Sequence, residues 1–380
     1  MKTKSSYIYS ICIGLFFIAL ISVPLLADLL NINKTEAISK QENRVLSGRP
    51  TFKVSLLDPY PTAYEQFYND HFPWRKELSN YLAREIDYKF FKRPPDHDGL
   101  YVGKDGWLFT GYERQYWEGT NTYTREEVNS IVAVLHKRTM DYRKKGIRFY
   151  VIVPPMKSEI YPEKNPPDYY KRIDSIMTDV IMAAILKDTS ITLICGKEAL
   201  LQAKEKGLLY NITDNHWNYR GAYYAYVKLL ERIHRDFSVV YPLTFQDFSF
   251  KDSLQPGGNL ASQSGLEDID TEHVPMVKIK NTRAYPAIRV GYPLPPEFTG
   301  NTGLEKIWQV NDPALPKAII IRDSYGEHLI PFISENFRRS IFFFDGWYYG
   351  PNWEMMDKEK PDVVILEIFA PHFKYLLRWK

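Results

Sequence analysis

Cysteine is nearly absent: two in 380 residues, too few for a disulfide framework. Cys12 lies in an apolar run at the N-terminus and Cys195 in a segment patterned as a core strand, so no bridge between them and no cysteine-based zinc site is expected. The eight histidines show no HxxxH or HExxH spacing, which removes the usual zinc-hydrolase signature. No metal and no cofactor requirement is legible. An excess of one charge is also missing. The net charge is +3, with no dense Lys/Arg run interleaved with stacking aromatics, so nucleic acid is not an expected partner. Repeats and low-complexity tracts are absent too, and 44% hydrophobic with 25% charged residues excludes disorder as the default state.

One long hydrophobic run is present. From Ile8 to Ala27 the chain carries no charge, and about 20 such residues suffice for one membrane span. Lys2 and Lys4 precede the run and Asp28 follows it, which keeps the N-terminus cytoplasmic and sends the rest outward. A cleaved signal peptide is the alternative. A cut after Ala27 would place Leu25 where a small residue is preferred, so an uncleaved anchor fits better. The expected organisation is an anchor over 1–28, a connector and helical region over 29–120, and an α/β domain over 121–380. Extracytoplasmic placement, periplasmic or cell-surface, follows from that orientation.

From about Thr124 the pattern becomes α/β. A helix through 125–145 stops at Gly146, a residue type suited to a helix C-terminus. Short apolar runs near 148–153, 191–194, 318–322, 340–344 and 363–368 predict five strands. Continuous apolar runs separated by helices indicate a parallel sheet covered on both faces. Residues 238–316 change character, with Pro, Gly and short alternating segments that predict a β-rich insertion.

Two segments could carry chemistry. In Lys317–Ile333 a strand runs into Arg322-Asp323-Ser324-Tyr325-Gly326 and then a helix. A serine there can present its hydroxyl beside helix N-terminal N–H groups able to hold an oxyanion. The plainer reading is that Asp323 or Ser324 caps the helix. In Thr213-Asp214-Asn215-His216-Trp217-Asn218, residues two apart share a side of an extended chain. Asp214 could hold one ring nitrogen of His216, leaving the other as a base for a serine hydroxyl, with Trp217 walling the ring from water. There the plainer reading has Asp214 or Asn215 capping the next helix. The serine segment follows a predicted strand, where open α/β sheets place their ligands, and both segments are expected on one rim of the sheet.

Together with ENR (Glu42–Arg44), YNDHFPWR (Tyr68–Arg75), GKDGWLF (Gly103–Phe109) and VPPMKSEIY (Val153–Tyr161), these segments resemble the DHHW family. That family is related to the SGNH-hydrolase-like alginate O-acetyltransferases of the AlgX and AlgJ type. The resemblance covers most of 40–235 and 315–370 in the same order. It implies an SGNH-hydrolase-like (flavodoxin-like) fold with circularly permuted motifs, the Asp-His pair preceding the serine. Carried over by position, it makes Ser324 the nucleophile, His216 its base and Asp214 the orienting acid. Asn215 stands where the family's first namesake histidine would be, a position not expected to touch the serine. The implied activity is O-acyl transfer, by expectation acetyl, onto an exported polysaccharide, with a membrane-bound O-acyltransferase supplying the acyl group. A carbohydrate acetylesterase using the same residues, or a catalytically silent glycan-binding component of an export complex, are the alternatives. Tyr325, Gly326 and Arg322 are oxyanion or substrate candidates by adjacency. Lys157, at a strand's carboxyl end, is a candidate for an anionic sugar, with an exposed surface lysine as the plainer reading, and Trp347, Tyr348 and Tyr349 for a stacking wall, with core packing as the alternative. His328 could face the site from one turn beyond Ser324. Asp70 and His71 read as structural.

Overall fold

The computed structural model describes residues 99–379 apart from 166–176, 269, 290, 293–304 and 346–347. Before residue 99 it describes 11–19, 38–39, 44–54, 58–71 and a few isolated positions. By internal contact the chain forms two units: residues 1–97 with Ser262–Leu266, and Asp98–Ala261 with Glu267–Lys380.

In the first unit, residues 11–19 of the apolar run are helical. No helix is long and apolar enough to cross a membrane among the described residues, and much of the 8–27 run lies outside them. A second helix, Pro59–His71, ends on Asp70 and His71. Asp70 accepts from the Ser47 N–H at 2.8 Å, and His71 Nε2 meets the Ser47 carbonyl at 2.9 Å. The two side chains pin a preceding segment, a structural task.

The second unit begins with a hairpin, β1 (Leu100–Val102) and β2 (Leu108–Thr110), and a short helix α1 (Gly111–Glu118). Helix α2 (Arg125–Lys144) starts at a reciprocal cap: Thr124 Oγ1 accepts from the Glu127 N–H, and the Glu127 carboxylate accepts from the Thr124 N–H. It ends where Gly146 adopts φ +76°, a conformation glycine takes without steric cost. There follow β3 (Arg148–Val153), α3 (Met177–Leu186), β4 (Leu193–Cys195), α4 (Gly196–Ala203) and α5 (Tyr219–His234). Next come the paired strands β5 (Phe248–Gln255) and β6 (Glu272–Ile279), then β7 (Tyr285–Pro286) and β8 (Lys306–Gln309). The chain closes with β9 (Lys317–Arg322), β10 (Arg339–Phe344), α6 (Trp353–Glu359) and β11 (Val363–Glu367).

The main sheet has the order β4-β3-β11-β9-β10-β8-β7. The first five strands are parallel, and they are the five predicted from apolar runs. Ile319, Ile320, Val364, Ile365, Val151 and Ile152 are fully buried, as burial of both faces of a parallel sheet requires. Each such side chain contributes about 1.5–3 kcal/mol of transfer free energy. The expected parallel sheet is extended at one edge and so becomes mixed. Strands β8 and β7, from within 238–316, add to the β10 edge antiparallel. The hairpin β5–β6 lies against α5, where the Phe248 ring sits 5.4 Å from that of Tyr223.

Numbered from β9 as the first strand, the parallel order β10-β9-β11-β3-β4 is 2-1-3-4-5, the flavodoxin order. In such sheets ligands bind outside the carboxyl end of the first strand, where the direction of strand addition reverses. Residue 323 begins there.

Candidate active site

After β9 the chain enters a 3-10 turn over Ser324–Leu329, and Asp323 is its N-cap, accepting from the Tyr325 N–H at 2.9 Å. Capping therefore falls to Asp323, which leaves the Ser324 hydroxyl uncommitted to the backbone. The same division of labour appears at α5. Its cap is Asn218, whose Oδ1 accepts from the N–H groups of Arg220 and Gly221. Asp214 and Asn215 are thereby free of capping.

The hydroxyl and the imidazole meet. His216 Nε2 lies 2.8 Å from Ser324 Oγ, and His216 Nδ1 lies 2.6 Å from Asp214 Oδ1. With Nδ1–H directed at the carboxylate, Nε2 accepts from the serine hydroxyl. Asp214 Oδ1 also accepts from the His216 N–H at 2.8 Å, and Oδ2 from the Asn259 N–H at 2.8 Å. Burial alone would raise the Asp214 pKa. The imidazole beside it and these hydrogen bonds outweigh burial and hold the carboxyl well below its ordinary range. Ser324, His216 and Asp214 are all half-buried, so the line of three reaches the surface.

Trp217 is fully buried and donates its indole N–H to the Tyr325 carbonyl at 2.9 Å. Tyr325 returns the tie, its hydroxyl donating to the Asn215 carbonyl at 2.7 Å, and its ring lies 4.7 Å from that of His216. These crossed bonds join the serine turn to the Asp-x-His segment and set the Tyr325 ring against the imidazole. His328 is also adjacent, its ring 6.3 Å from that of His216. Burial, and then His216 itself, push His328 down to about 4, so it is neutral at pH 7.

Several expected roles change. The Tyr325 N–H is spent on Asp323, so it is not an open oxyanion donor. Gly326 lies inside the 3-10 turn, where N–H groups serve the i→i+3 ladder. Its missing side chain matters for packing instead: a Cβ there would come within 2.7 Å of Arg322 Cβ and 2.8 Å of Glu367 Oε2. Arg322 is buried and turned inward, donating to the Asp323 carbonyl at 3.1 Å and to Glu327 Oε2 at 2.9 Å. Its guanidinium is bonded to the turn that carries Ser324. Tyr349 is buried with its hydroxyl on Asp323 Oδ2 at 2.8 Å, and Tyr348 packs edge-on to Trp379. Neither offers a free ring face for a sugar, and Trp347 lies outside the described residues.

Lys157 is the largest departure. It is fully buried, and its ammonium donates to the carbonyls of Asn211, Ile212 and Asp214 at 3.3, 3.0 and 2.6 Å. The Trp107 and Phe109 rings of the GKDGWLF segment lie 5.5 and 5.0 Å from the nitrogen. No anionic sugar can reach it. Burial brings its pKa down to about 8, against the pull of Glu113, Asp214 and Glu272.

Sequence reasoning missed the contribution of 238–316. Glu272 on β6 accepts from the N–H groups of Ile212 and Thr213 and from the Thr213 hydroxyl. Gly258 and Asn259 donate backbone N–H groups to Thr213 Oγ1 and Asp214 Oδ2. The Gly257-Gly258 pair signals a turn, but no local pattern discloses what the turn touches.

Residues 100–288 match the family described as the SGNH hydrolase-like domain of acetyltransferase AlgX. The match includes Asp214 and His216 and ends before Ser324. The "Probable alginate O-acetylase AlgJ" of Pseudomonas aeruginosa is 28% identical over 161 residues, 42% of this chain and 39% of that protein. Its namesake from Pseudomonas syringae pv. tomato is 27% identical over 189 residues, 48% of this chain and 42% of that protein. The chain thus spans about two fifths of these relatives' length. Among solved structures, Bacillus cereus PatB1 superposes with a TM-score of 0.57 at 16% identity, covering 73% of this chain and 99% of that one. A DHHW family protein from Eubacterium siraeum gives 0.54 at 16% identity, covering 75% and 96%. At such identities these likenesses establish the fold.

Proposed function

We propose that this chain, whose residues 100–288 belong with the SGNH hydrolase-like domain of the AlgX acetyltransferases, is an extracytoplasmic O-acetyltransferase acting on an exported polysaccharide. The reading is carried by one observation: the Ser324 hydroxyl, the His216 ring and the Asp214 carboxylate are hydrogen-bonded in series at 2.8 and 2.6 Å.

Ser324 Oγ attacks the carbonyl carbon of an acyl donor while its proton passes to His216 Nε2. Asp214 steadies the imidazolium through Nδ1–H without itself taking the proton. The tetrahedral oxyanion is held by the N–H of Ser324, which precedes the hydrogen-bonded ladder of the turn. On collapse the leaving group takes the proton from His216, leaving an acyl-serine. A sugar hydroxyl then attacks that ester, gives its proton to His216 Nε2, and departs acylated as the proton returns to Ser324. Residues 8–27 anchor the chain with the α/β unit outside the cytoplasm, where a membrane-bound O-acyltransferase would deliver acetyl groups.

The test is Ser324→Ala. It should abolish turnover of p-nitrophenyl acetate with the far-UV circular dichroism unchanged, and turnover at the wild-type rate would remove the serine from the scheme. Incubation with an acetyl donor and uronate oligosaccharides, followed by mass spectrometry, distinguishes transfer from hydrolysis. Acetylated sugar supports the transferase, and free acetate with unmodified sugar makes the chain an esterase.

A further inference from the structure

Lys157 lies in no step of that mechanism, yet it is a fully buried cation one residue from the end of the Pro154-Pro155-Met156 turn after β3. Taking an ammonium out of water is costly unless its donors are met. Here all three named acceptors are carbonyls of one short segment, Asn211, Ile212 and Asp214. On that segment the amides are equally engaged. The N–H groups of Ile212 and Thr213 go to the Glu272 carboxylate at 2.5 and 3.1 Å. The Ile212 carbonyl additionally accepts from the Leu108 N–H at 3.0 Å. Carbonyls are thus gripped by a cation and amides by an anion, on chain that leads directly into Asp214.

We infer that Lys157 and Glu272 form an oppositely charged clamp whose task is to set the position of Asp214, and through it the imidazole of His216, making both of them positioning residues. The inference rests on the proposed Ser-His-Asp mechanism and deepens it. Lys157 reaches the Asp214 backbone and Glu272 the preceding residue, so neither touches substrate. The aromatic walls explain why a lysine serves here. Trp107 and Phe109 stand 5.5 and 5.0 Å from the nitrogen, within cation–π range, so the charge keeps an attractive environment in the absence of water. Glu113 is tied to the same neighbourhood, accepting from the Ser158 N–H at 3.0 Å. Its carboxylate favours the charged form of Lys157 together with those of Asp214 and Glu272.

A clamp that only stabilised the fold would change the melting temperature and the amount of active enzyme. A clamp that positions Asp214 must change the hydrogen bond between Asp214 and His216. The experiment compares the full chain with Lys157→Met, Glu272→Gln and Ser324→Ala. Readouts are kcat and KM for p-nitrophenyl acetate and the low-field proton resonance of the His216 Nδ1–H. Lys157→Met should lower kcat by about a hundredfold, the usual effect of an ångström-scale misplacement, with KM little changed and the low-field resonance broadened or lost. Glu272→Gln keeps an oxygen acceptor and loses the charge, and should show a smaller fall in the same sense. If Lys157→Met does not fold, Glu272→Gln decides. Wild-type kcat with an intact resonance in the folded variants overturns the clamp. Ser324→Ala separates the two readings: it should retain the resonance and lose turnover. Ester turnover in that variant would overturn the mechanism while the resonance still reported on the clamp.

Discussion

Behind Ser324 the carboxyl groups of Asp323 and Glu367 are neighbours whose pKa values are driven in opposite directions. Asp323 collects donors: the N–H groups of Tyr325 and Phe369, the Tyr349 hydroxyl at 2.8 Å and the His372 ring at 3.1 Å. Burial works to raise its pKa, but His372 and the other donors hold it at about 2. Glu367 is pushed well up, first by burial and then by the Asp323 charge, which favours its protonated form. The signs for stability are opposite. Asp323 contributes stability that is full above about pH 4 and is lost as pH falls through its folded value of about 2. Glu367 keeps in the fold a proton that the unfolded chain releases above about pH 4.3, so stability falls as pH rises from there. Glu367→Gln mimics the protonated form. Its melting temperature should exceed the wild type's at pH 8 and converge with it near pH 4. Parallel melting profiles across that range would show that Glu367 does not hold the proton.

At the scale of elements, the site is built by giving the capping of the Ser324 turn and of α5 to other side chains. Asp323 and Asn218 do the capping, so Ser324 and Asp214 are spared. That outcome was only half legible. The strand–turn–helix pattern and the Asp-x-His spacing locate the two segments, because local propensity and apolar runs report on what lies beside them in the chain. Which of four neighbouring polar residues caps depends on backbone geometry, and propensity ranks Asp, Asn and Ser alike. The role of 238–316 was not legible at all. Glu272 and Asn259 reach Thr213 and Asp214 across 59 and 45 residues of sequence, and nothing in local spacing encodes such a contact. Lys157 illustrates the same limit: a lysine after a strand reads as exposed, and only tertiary structure shows the aromatic walls around it. The turn at Gly258 gives a direct test. A Cβ there would lie 2.5 Å from Asp214 Cβ and 2.8 Å from its Oδ2. Gly258→Ala must therefore displace the carboxylate or the turn. Ester turnover should fall by about tenfold or more, with a stability cost of about 1–3 kcal/mol. Wild-type turnover in a Gly258→Ala variant would mean that Asp214 tolerates movement and that the turn does not brace it.

At the scale of the whole molecule, the fold explains why the serine follows its partners in sequence. The five parallel strands keep the flavodoxin order when numbered from β9, so the break in the chain falls elsewhere while the crevice at the end of β9 is preserved. Function in this arrangement depends on where the crevice is delivered, and that is the task we assign to residues 8–27. On that proposal, about 20 uncharged residues behind two lysines would direct the remainder outward. If the run is an anchor, carbonate at high pH should leave the full chain in the membrane pellet. Protease added to spheroplasts of an expressing cell should then digest the α/β unit while the cytoplasm stays closed. A chain lacking residues 1–28 and expressed in the cytoplasm should be recovered in the soluble fraction. It should hydrolyse p-nitrophenyl acetate at the full-length rate per molecule, because Ser324, His216 and Asp214 all belong to the unit that starts at Asp98. Acetylation of a membrane-associated polymer in cells should nevertheless collapse, since the shortened chain never meets donor or acceptor. Full polymer acetylation by that variant would show that the run contributes neither address nor tether.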